Sequence, residues 1–392
     1  MKLEVLRERD FAIYMSGNLA SWTGLWIQRI AIGWLSWELS HSAAWVGLVS
    51  FAQFGPVIVL GPLFGVLADK LERRRYAIVA SSIQMGIATA LFVVAAMGWM
   101  TIELLCALCF CTGVTTSAYQ PVRLALVNDL SPRPLLTQAI AIHSLIFNLT
   151  RFVGPALGGV VIASAGTSAP FAINAFAYLA LIAALSVIRL RPSEHKKASG
   201  EFFAEMRAGF GYVREHRNLV HIFALGLISN FLGRGVLELL PVFAEAVFAA
   251  GASGLATLTA ATGVGSILSA GIVTRARHPA QLPRLGRRSI YVSSLLLVAL
   301  GLTPWYLPGI MLCFALGFTL TLTGVSLQVA LQSLVHDTFR GRIVGLWGVV
   351  VTGGSAVGGA VIGAFSQLAG LGTVTVACGV AGVAGWNRFR AR

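Results

Sequence analysis

Charge is what this sequence has least of. Only 11% of its 392 residues are Asp, Glu, Lys or Arg, against about 25% in a soluble domain, while 56% are hydrophobic. So little polar surface cannot cover a globule of this length, and the mean hydropathy of +0.79 agrees. The chain reads as a protein of the lipid bilayer. Cysteine is also scarce. Cys106, Cys109, Cys111, Cys313 and Cys378 all lie in apolar runs. No His, Asp or second cysteine pair stands beside Cys106, Cys109 and Cys111 to complete four ligands, so they read as small buried hydrophobes and no metal is expected. A Walker P-loop is absent, which argues against an ATP-driven motor in this chain. No nucleophile–base arrangement suggests an intramembrane enzyme, and no cofactor is expected. The opening MKLEVLRERD is short and mixed in charge, unlike a cleaved leader.

A membrane span needs about 20 apolar residues. Twelve such runs are expected, at 11–37, 44–68, 76–97, 101–124, 137–164, 169–190, 218–245, 253–274, 288–305, 308–334, 341–367 and 370–387. With the N-terminus in the cytoplasm, 26 of the 29 Lys and Arg residues fall in cytoplasmic segments, Arg123 and Arg133 among them, and none in the outer loops. Such segregation predicts both termini inside. It also accounts for the net charge of +14 without nucleic acid, as a topology signal and a partner for anionic lipid. The predicted fold is an all-α membrane protein of two six-helix bundles, 1–190 and 218–392, joined by a polar cytoplasmic linker, 191–217. Within the linker Phe202, Phe203, Met206, Phe210 and Val213 recur at helical spacing, which predicts an amphipathic helix on the inner surface; a disordered linker is the alternative. Gly154 and Gly158 match Gly359 and Gly363 at an offset of 205, and Gly65 matches Gly271 at 206, which points to an internal duplication.

The densest charge is in GVLADKLERRRY, residues 65–76. Lys70, Arg73, Arg74 and Arg75 suit a positive-inside loop, but Asp69 adds nothing to that signal. Gly65 lets a neighbouring helix approach. This stretch resembles the signature G-x-L-A-D-[RK]-x-G-R-[RK] of the major facilitator superfamily, with Glu72 where Gly is common. NLTRFVGPALGG (148–159) resembles that superfamily's antiporter element. YQPVRLALVNDLSP (119–132), QAIAIHS and FAINAFAYLALIA are similar to the branch containing the enterobactin exporter and macrolide efflux proteins. The second half matches chiefly at FRGRIVGLWG (339–348). The resemblance implies bundles that rock about a central cavity, with Asp69 set against the start of the eleventh span, near Arg340 and Arg342, to hold an inner gate shut. A carboxylate is stabilised at a helix N-terminus in any case.

Arg29, Arg151 and Arg234 are the three basic residues inside spans. An arginine at depth costs at least about 2.5–3.5 kcal/mol and faces a cavity or a partner. Glu238 lies four residues after Arg234, on the same helical face. The two are either a neutralised pair or a proton-coupling unit, because lipid favours the neutral carboxyl and the guanidinium the charged one. Arg151 either braces its bundle or lines the cavity, and Arg29 either reaches outward toward Glu38 or faces inward. Arg29, Gln28, Trp26, Asn148, Arg151 and Asn230 are the candidate cavity residues. Gly154, Pro155, Gly158 and Gly159, with Gly354, Gly358, Gly359 and Gly363, read as helix-packing positions.

The expected function is proton-coupled export of a small amphipathic or anionic compound, siderophore-like or drug-like, by a monomer in the bacterial inner membrane. An importer, a lysophospholipid flippase or a non-transporting sensor or scaffold of the same fold are the alternatives. Asp69→Asn is expected to leave membrane insertion intact and impair transport. Wild-type flux in vesicles with normal amounts of the variant would contradict the gate.

Overall fold

The computed structural model of the chain describes residues 4–68, 71–190, 202–275 and 282–390. Every regular element among them is helical, as the bilayer requires, since lipid offers no partner to an open backbone amide or carbonyl. The helices are α1 (Arg9–Ser40), α2 (Ala43–Ala68), α3 (Arg73–Ala96), α4 (Ile102–Leu130), α5 (Leu136–Ala165) and α6 (Ala169–Val187). A short α7 (Phe202–Glu215) follows. Then come α8 (Arg217–Val247), α9 (Gly251–Arg275), α10 (Leu282–Leu302), α11 (Tyr306–Leu334), α12 (Asp337–Ala369) and α13 (Leu371–Arg390). Ten described helices are long and apolar enough to cross a membrane. The two other expected spans, 11–37 and 370–387, fall in α1 and α13. Polar residues thin both: Asn18, Gln28 and Arg29 lie inside α1, and the 20 residues of α13 end in Asn387, Arg388, Phe389 and Arg390.

Two compact units divide the chain. One holds Met1–Leu35 and Pro56–Ser199, the other Ser36–Gly55 and Gly200–Arg392. In the first, α1 packs through small residues on two sides. A Cβ on Gly17 would press on Ala184, and one on Gly24 on Ala177 and Asn174, so α6 lies close. A Cβ on Gly154 would strike Trp26, and Gly158 faces Ile27 and Ile30, so α5 closes the other side. The core beneath gathers Phe11, Tyr14, Trp22, Tyr119, Leu126, Leu181 and Leu185. Between apolar helices in apolar lipid there is no hydrophobic drive to associate, and close packing has to supply the attraction.

The second unit repeats the device. A Cβ on Gly265 would strike the Phe314 carbonyl, and one on Gly317 the Thr262 carbonyl, so α9 and α11 interlock reciprocally. Gly358 meets the Phe231 carbonyl, and Gly226 lies under the Trp347 ring, which fix α8 against α12. The N-terminal half of α2 belongs to this unit: Gly47 packs on the Gly359 carbonyl, Gly363 on the Ala43 carbonyl, and Ser42 Oγ donates to Gln367 Oε1 at 2.6 Å.

Two elements depart from the expected runs. The span predicted at 101–124 continues to Leu130, because Leu126, Val127 and Leu130 after Arg123 remain apolar and buried. Arg123 therefore sits about two turns inside α4 and not in a loop after it. The span predicted as one helix at 218–245 is broken. It winds in wide i→i+5 turns over Ser229–Arg234 and again over Phe243–Val247, with an interruption at Glu238 and Leu239. Gly233, Gly235 and Pro241 explain this locally: glycine gives no rotameric support to the helix and proline offers no amide donor. Wide turns of this kind recur at functional positions.

Reciprocal glycine contact makes a direct prediction for α11. Gly317→Leu is expected to destabilise the protein by roughly 1–3 kcal/mol through overpacking. Gly324→Ala on the same helix, where an added Cβ meets nothing within 4 Å, is expected to leave it unchanged or slightly firmer. Thermal unfolding of both variants in detergent checks the contrast; equal midpoints would contradict it.

Candidate functional site

Asp69 and Lys70 lie outside the described residues, and Gly65 is in the last turn of α2. The arginines that follow separate into three different attachments. Arg73 Nη1 donates to both carboxylate oxygens of Asp129 at 2.8 Å, joining the start of α3 to the end of α4. Asp129 is only 9% exposed, so this pair is shielded from water. Arg74 Nε donates to the Leu185 carbonyl at 2.7 Å, and its Nη2 to the Ser186 carbonyl. It thereby serves the carbonyls that the end of α6 leaves open, where the helix dipole also favours a cation. Arg75 is 85% exposed and reaches only Glu72 in the same turn. The sequence suggested a single function for the run, anchoring in the cytoplasm. In the structure Arg73 and Arg74 also tie α3 to its neighbours.

Arg29 and Arg151 converge on one side chain. The Arg29 guanidinium lies 5.0 Å from the Trp26 ring centre and that of Arg151 5.7 Å, so α1 and α5 each bring a cation to the same indole. The series continues toward the N-terminal end of α1. Trp26 meets Phe147 at 6.2 Å, Phe147 meets Trp22 edge-on at 5.4 Å, and His143 meets Trp22 edge-on at 4.9 Å. Arg123 closes it, 5.0 Å from the Trp22 ring and 5.7 Å from that of Phe147. Local spacing builds this stripe. Trp22 and Trp26 on α1, His143, Phe147 and Arg151 on α5, and Tyr119 and Arg123 on α4 are each four residues apart and share a helical face. A guanidinium over an aromatic face is worth about 0.5–1 kcal/mol when exposed and about 2 or more when desolvated. The stripe thus holds three cations at a depth where lipid alone would not.

The remaining expected cavity residues do not join the stripe. Gln28 is 2% exposed and its Oε1 accepts from Asn174 Nδ2 at 2.7 Å, so it is a strut between α1 and α6. A second strut pairs Tyr178 with Gln84, whose Nε2 donates to Thr116 Oγ1 at 3.1 Å. Asn148 is exposed and donates to the Ser144 carbonyl of its own helix. Asn230 belongs to the second unit, buried where α8 meets Gly354 of α12, and donates to the Gly226 carbonyl. Buried side-chain amides usually satisfy themselves within the helix bundle before any ligand arrives.

Arg234 closes the first set of wide turns in α8 and Glu238 opens the interruption after it, the Glu238 amide donating to the Arg234 carbonyl at 3.2 Å. Between them Gly235 touches the backbone of Gly358 and Gly359. A Cβ on Gly359 would lie 3.1 Å from that of Glu238, so glycine there leaves the carboxylate arm its room. At the other end of α12, Arg342 stands 5.5 Å over Phe339, which stacks on Tyr212 of α7 at 4.5 Å. Arg340 is exposed nearby. Helix α7 presses Gly209 toward Leu346 and buries Val213, while Phe210 on its other side is 66% exposed. Phe202, Phe203 and Met206 have side chains outside the described residues.

Arg123 and His143 in the stripe, and Asp129 beside Arg73, are polar groups that sequence reasoning did not name as site residues. The four-residue spacing of Tyr119 with Arg123, and of His143 with Phe147 and Phe147 with Arg151, was the available signal. A separate cleft of about 300 Å³ is lined by Ser40, Ser42, Ala44, Trp45, Leu48 and Gln367 and contains none of these arginines.

The described helices have the major facilitator fold, that of a class of membrane transporters. The bacterial homologue of the human lysosomal transporter Spinster, solved inward-facing and unoccupied, aligns with a TM-score of 0.74 over 97% of each chain. At 15% identity this likeness is one of fold. The chain belongs to the transmembrane secretion effector family of that superfamily, matched over residues 2–386, a family of transporters and not of enzymes. It is 25% identical over 344 residues to the Staphyloferrin A transporter of Staphylococcus aureus, covering 85% of this chain and 84% of the relative. It is 26% identical over 336 residues to the Enterobactin exporter EntS of Shigella flexneri, covering 84% and 78%.

The Arg73–Asp129 pair is open to a double-mutant cycle. A pair this sheltered should couple by about 1–3 kcal/mol, above exposed pairs and below fully buried ones. Arg73→Gln, Asp129→Asn and the double variant, compared by unfolding in detergent, measure it. Additive effects would mean the contact contributes nothing.

Proposed function

We propose that this chain is a secondary active transporter that exports a small amphipathic or anionic compound, siderophore-like or drug-like, by alternating access and proton antiport. The observation that carries this reading is the pair of guanidinium groups on Trp26, from α1 and α5. Cations held deep in a transmembrane bundle attract anionic or strongly polar groups, and the indole offers them an apolar face. The names of the relatives, a siderophore transporter and a siderophore exporter, agree with that chemistry.

In this reading twelve helices cross the bacterial cytoplasmic membrane with both termini in the cytoplasm, and the protein acts as a monomer. The segments 1–190 and 218–392 move as bundles about the linker 191–217. Asp69, with Gly65, Lys70, Arg73, Arg74, Arg340 and Arg342, forms a gate on the cytoplasmic side. Glu238, beside Arg234 in the irregular part of α8, carries the proton. The unwound turns let the pair separate at small backbone cost, and separation exchanges the proton. Glycines 154, 158 and 159 with Pro155 serve helix packing.

Proteoliposome flux of a siderophore and drug panel, with and without an imposed pH gradient, tests this. Gradient-stimulated flux is expected in wild type, and Glu238→Gln should lose the stimulation while keeping downhill exchange. Flux indifferent to the gradient in wild type would contradict proton antiport.

A further inference from the structure

Arg123 differs from the other guanidinium groups that the structure places in α3 and α4. Arg73 has Asp129 and Arg74 has the carbonyls of α6. Among the described residues no carboxylate reaches Arg123. Its ionisable neighbours are Tyr14, Tyr119, Tyr178 and His143, and its cationic face rests on Trp22 and Phe147. An arginine at membrane depth is normally partnered, and this one has only rings.

Beside it, Nε of Arg123 itself and Nε2 of His143 are buried without a hydrogen-bond partner in the protein. The Tyr119 hydroxyl, set near those of Ser81 and Tyr14, makes no hydrogen bond of normal geometry; Oγ of Ser81 and Oδ1 of Asn18, farther along, are likewise open. All four neighbouring side chains are more than nine-tenths buried, Asn18 at 0%, Ser81 at 1%, Tyr119 and His143 at 7% exposed. Buried polar groups in proteins are nearly always satisfied, and a cluster left open asks for a reason. A purely packing role for Arg123 would need one or two ring faces. It would not need phenol, hydroxyl and imidazole groups with spare hydrogen-bonding capacity beside it. The set is rich in donors, carries a positive charge and contains no competing acid. Guanidinium binds a planar two-oxygen anion through paired N–H groups, and aromatic walls suit an apolar body behind it.

We infer that Arg123, Tyr119 and His143 form a subsite for a carboxylate group of the transported compound, at the end of the stripe nearer the N-terminus of α1. The inference rests on the transport reading only for what brings the anion there. In the orientation proposed above this is the cytoplasmic half, where an exporter loads. Arg29 and Arg151 on Trp26 continue the positive stripe away from it.

Titration calorimetry on the purified full-length protein in detergent tests the subsite. Salicylate and citrate, an aromatic and an aliphatic carboxylate, serve as probes, each against its methyl ester. Wild type should bind at least one acid about tenfold or more tighter than its ester, and Arg123→Gln should abolish that preference. Tyr119→Phe, which removes only the hydroxyl, should weaken the acid about fivefold and leave the ester unchanged; it decides the matter if Arg123→Gln fails to fold. Equal binding of acid and ester by folded wild type, undetectable binding of both acids, or an unchanged preference in Arg123→Gln and Tyr119→Phe overturns the subsite. Flux assays separate the two readings. Arg123-dependent binding without any flux leaves the subsite and removes the transport reading. Gradient-driven flux with an unaltered acid preference in the variants does the reverse.

Discussion

A guanidinium inside a lipid bilayer has to be solvated by the protein around it, and much of this structure follows from that requirement. Lipid offers it no hydrogen bond, the charge cannot be shed at ordinary pH, and an unpartnered arginine at depth is costly. At helix ends, outside that constraint, Arg73 takes a carboxylate and Arg74 the carbonyls that close α6; inside the bundle Arg29, Arg151 and Arg123 take aromatic faces. The carboxylate and the carbonyls use up the cation. A ring covers one face of a guanidinium without occupying its edge, and at Arg123 Nε is buried without a hydrogen-bond partner in the protein. A fixed positive charge with a donor to spare is suited to receiving an anion.

Close helix packing holds these groups in place. Gly154 and Gly158 bring α5 against α1 at the level of Trp26 and Ile27, which sets the cations of both helices on one indole. Glycine performs a different service in the second unit. Gly358 and Gly359 admit the irregular turn of α8, and Glu238 comes to rest beside a position that has no side chain to crowd it. Contacts of this closeness are rigid along the helix axis but permit small sliding, which suits elements that must repack during a transport cycle.

Much of the fold was legible in the sequence, because helix length in a bilayer is set by its thickness and the runs of apolar residues report it directly. Spans such as 169–190 and 308–334 agree with α6 and α11 to within a few residues. Single-residue readings were incomplete where one residue type served two purposes. Arg123 reads as a topology signal when only loop charge is counted, and the structure adds that Leu126, Val127 and Leu130 carry α4 past it. Gln28 reads as a cavity residue because it is polar in a span, and the structure adds its tie to Asn174 of α6. The break in α8 was signalled by Gly233, Gly235 and Pro241, although the form it took, two sets of wide turns, depends on packing against α12. Interhelical partners were the part that spacing could not supply: Asp129 for Arg73, or Trp22 for Arg123, meet only in three dimensions.

The central claim is that the stripe from Arg29 to Arg123 lies beside an aqueous route that favours anions. Asn148 is exposed on α5 between Phe147 and Arg151, and Asn148→Cys, in a variant with the five native cysteines replaced, reports on it. Its rates of modification by charged methanethiosulfonate reagents measure the local field directly. The account predicts that the anionic sulfonate reagent reacts severalfold faster than the cationic ammonium reagent, and that a bound carboxylate slows both. Equal rates for the two reagents, or no reaction with either, would contradict it.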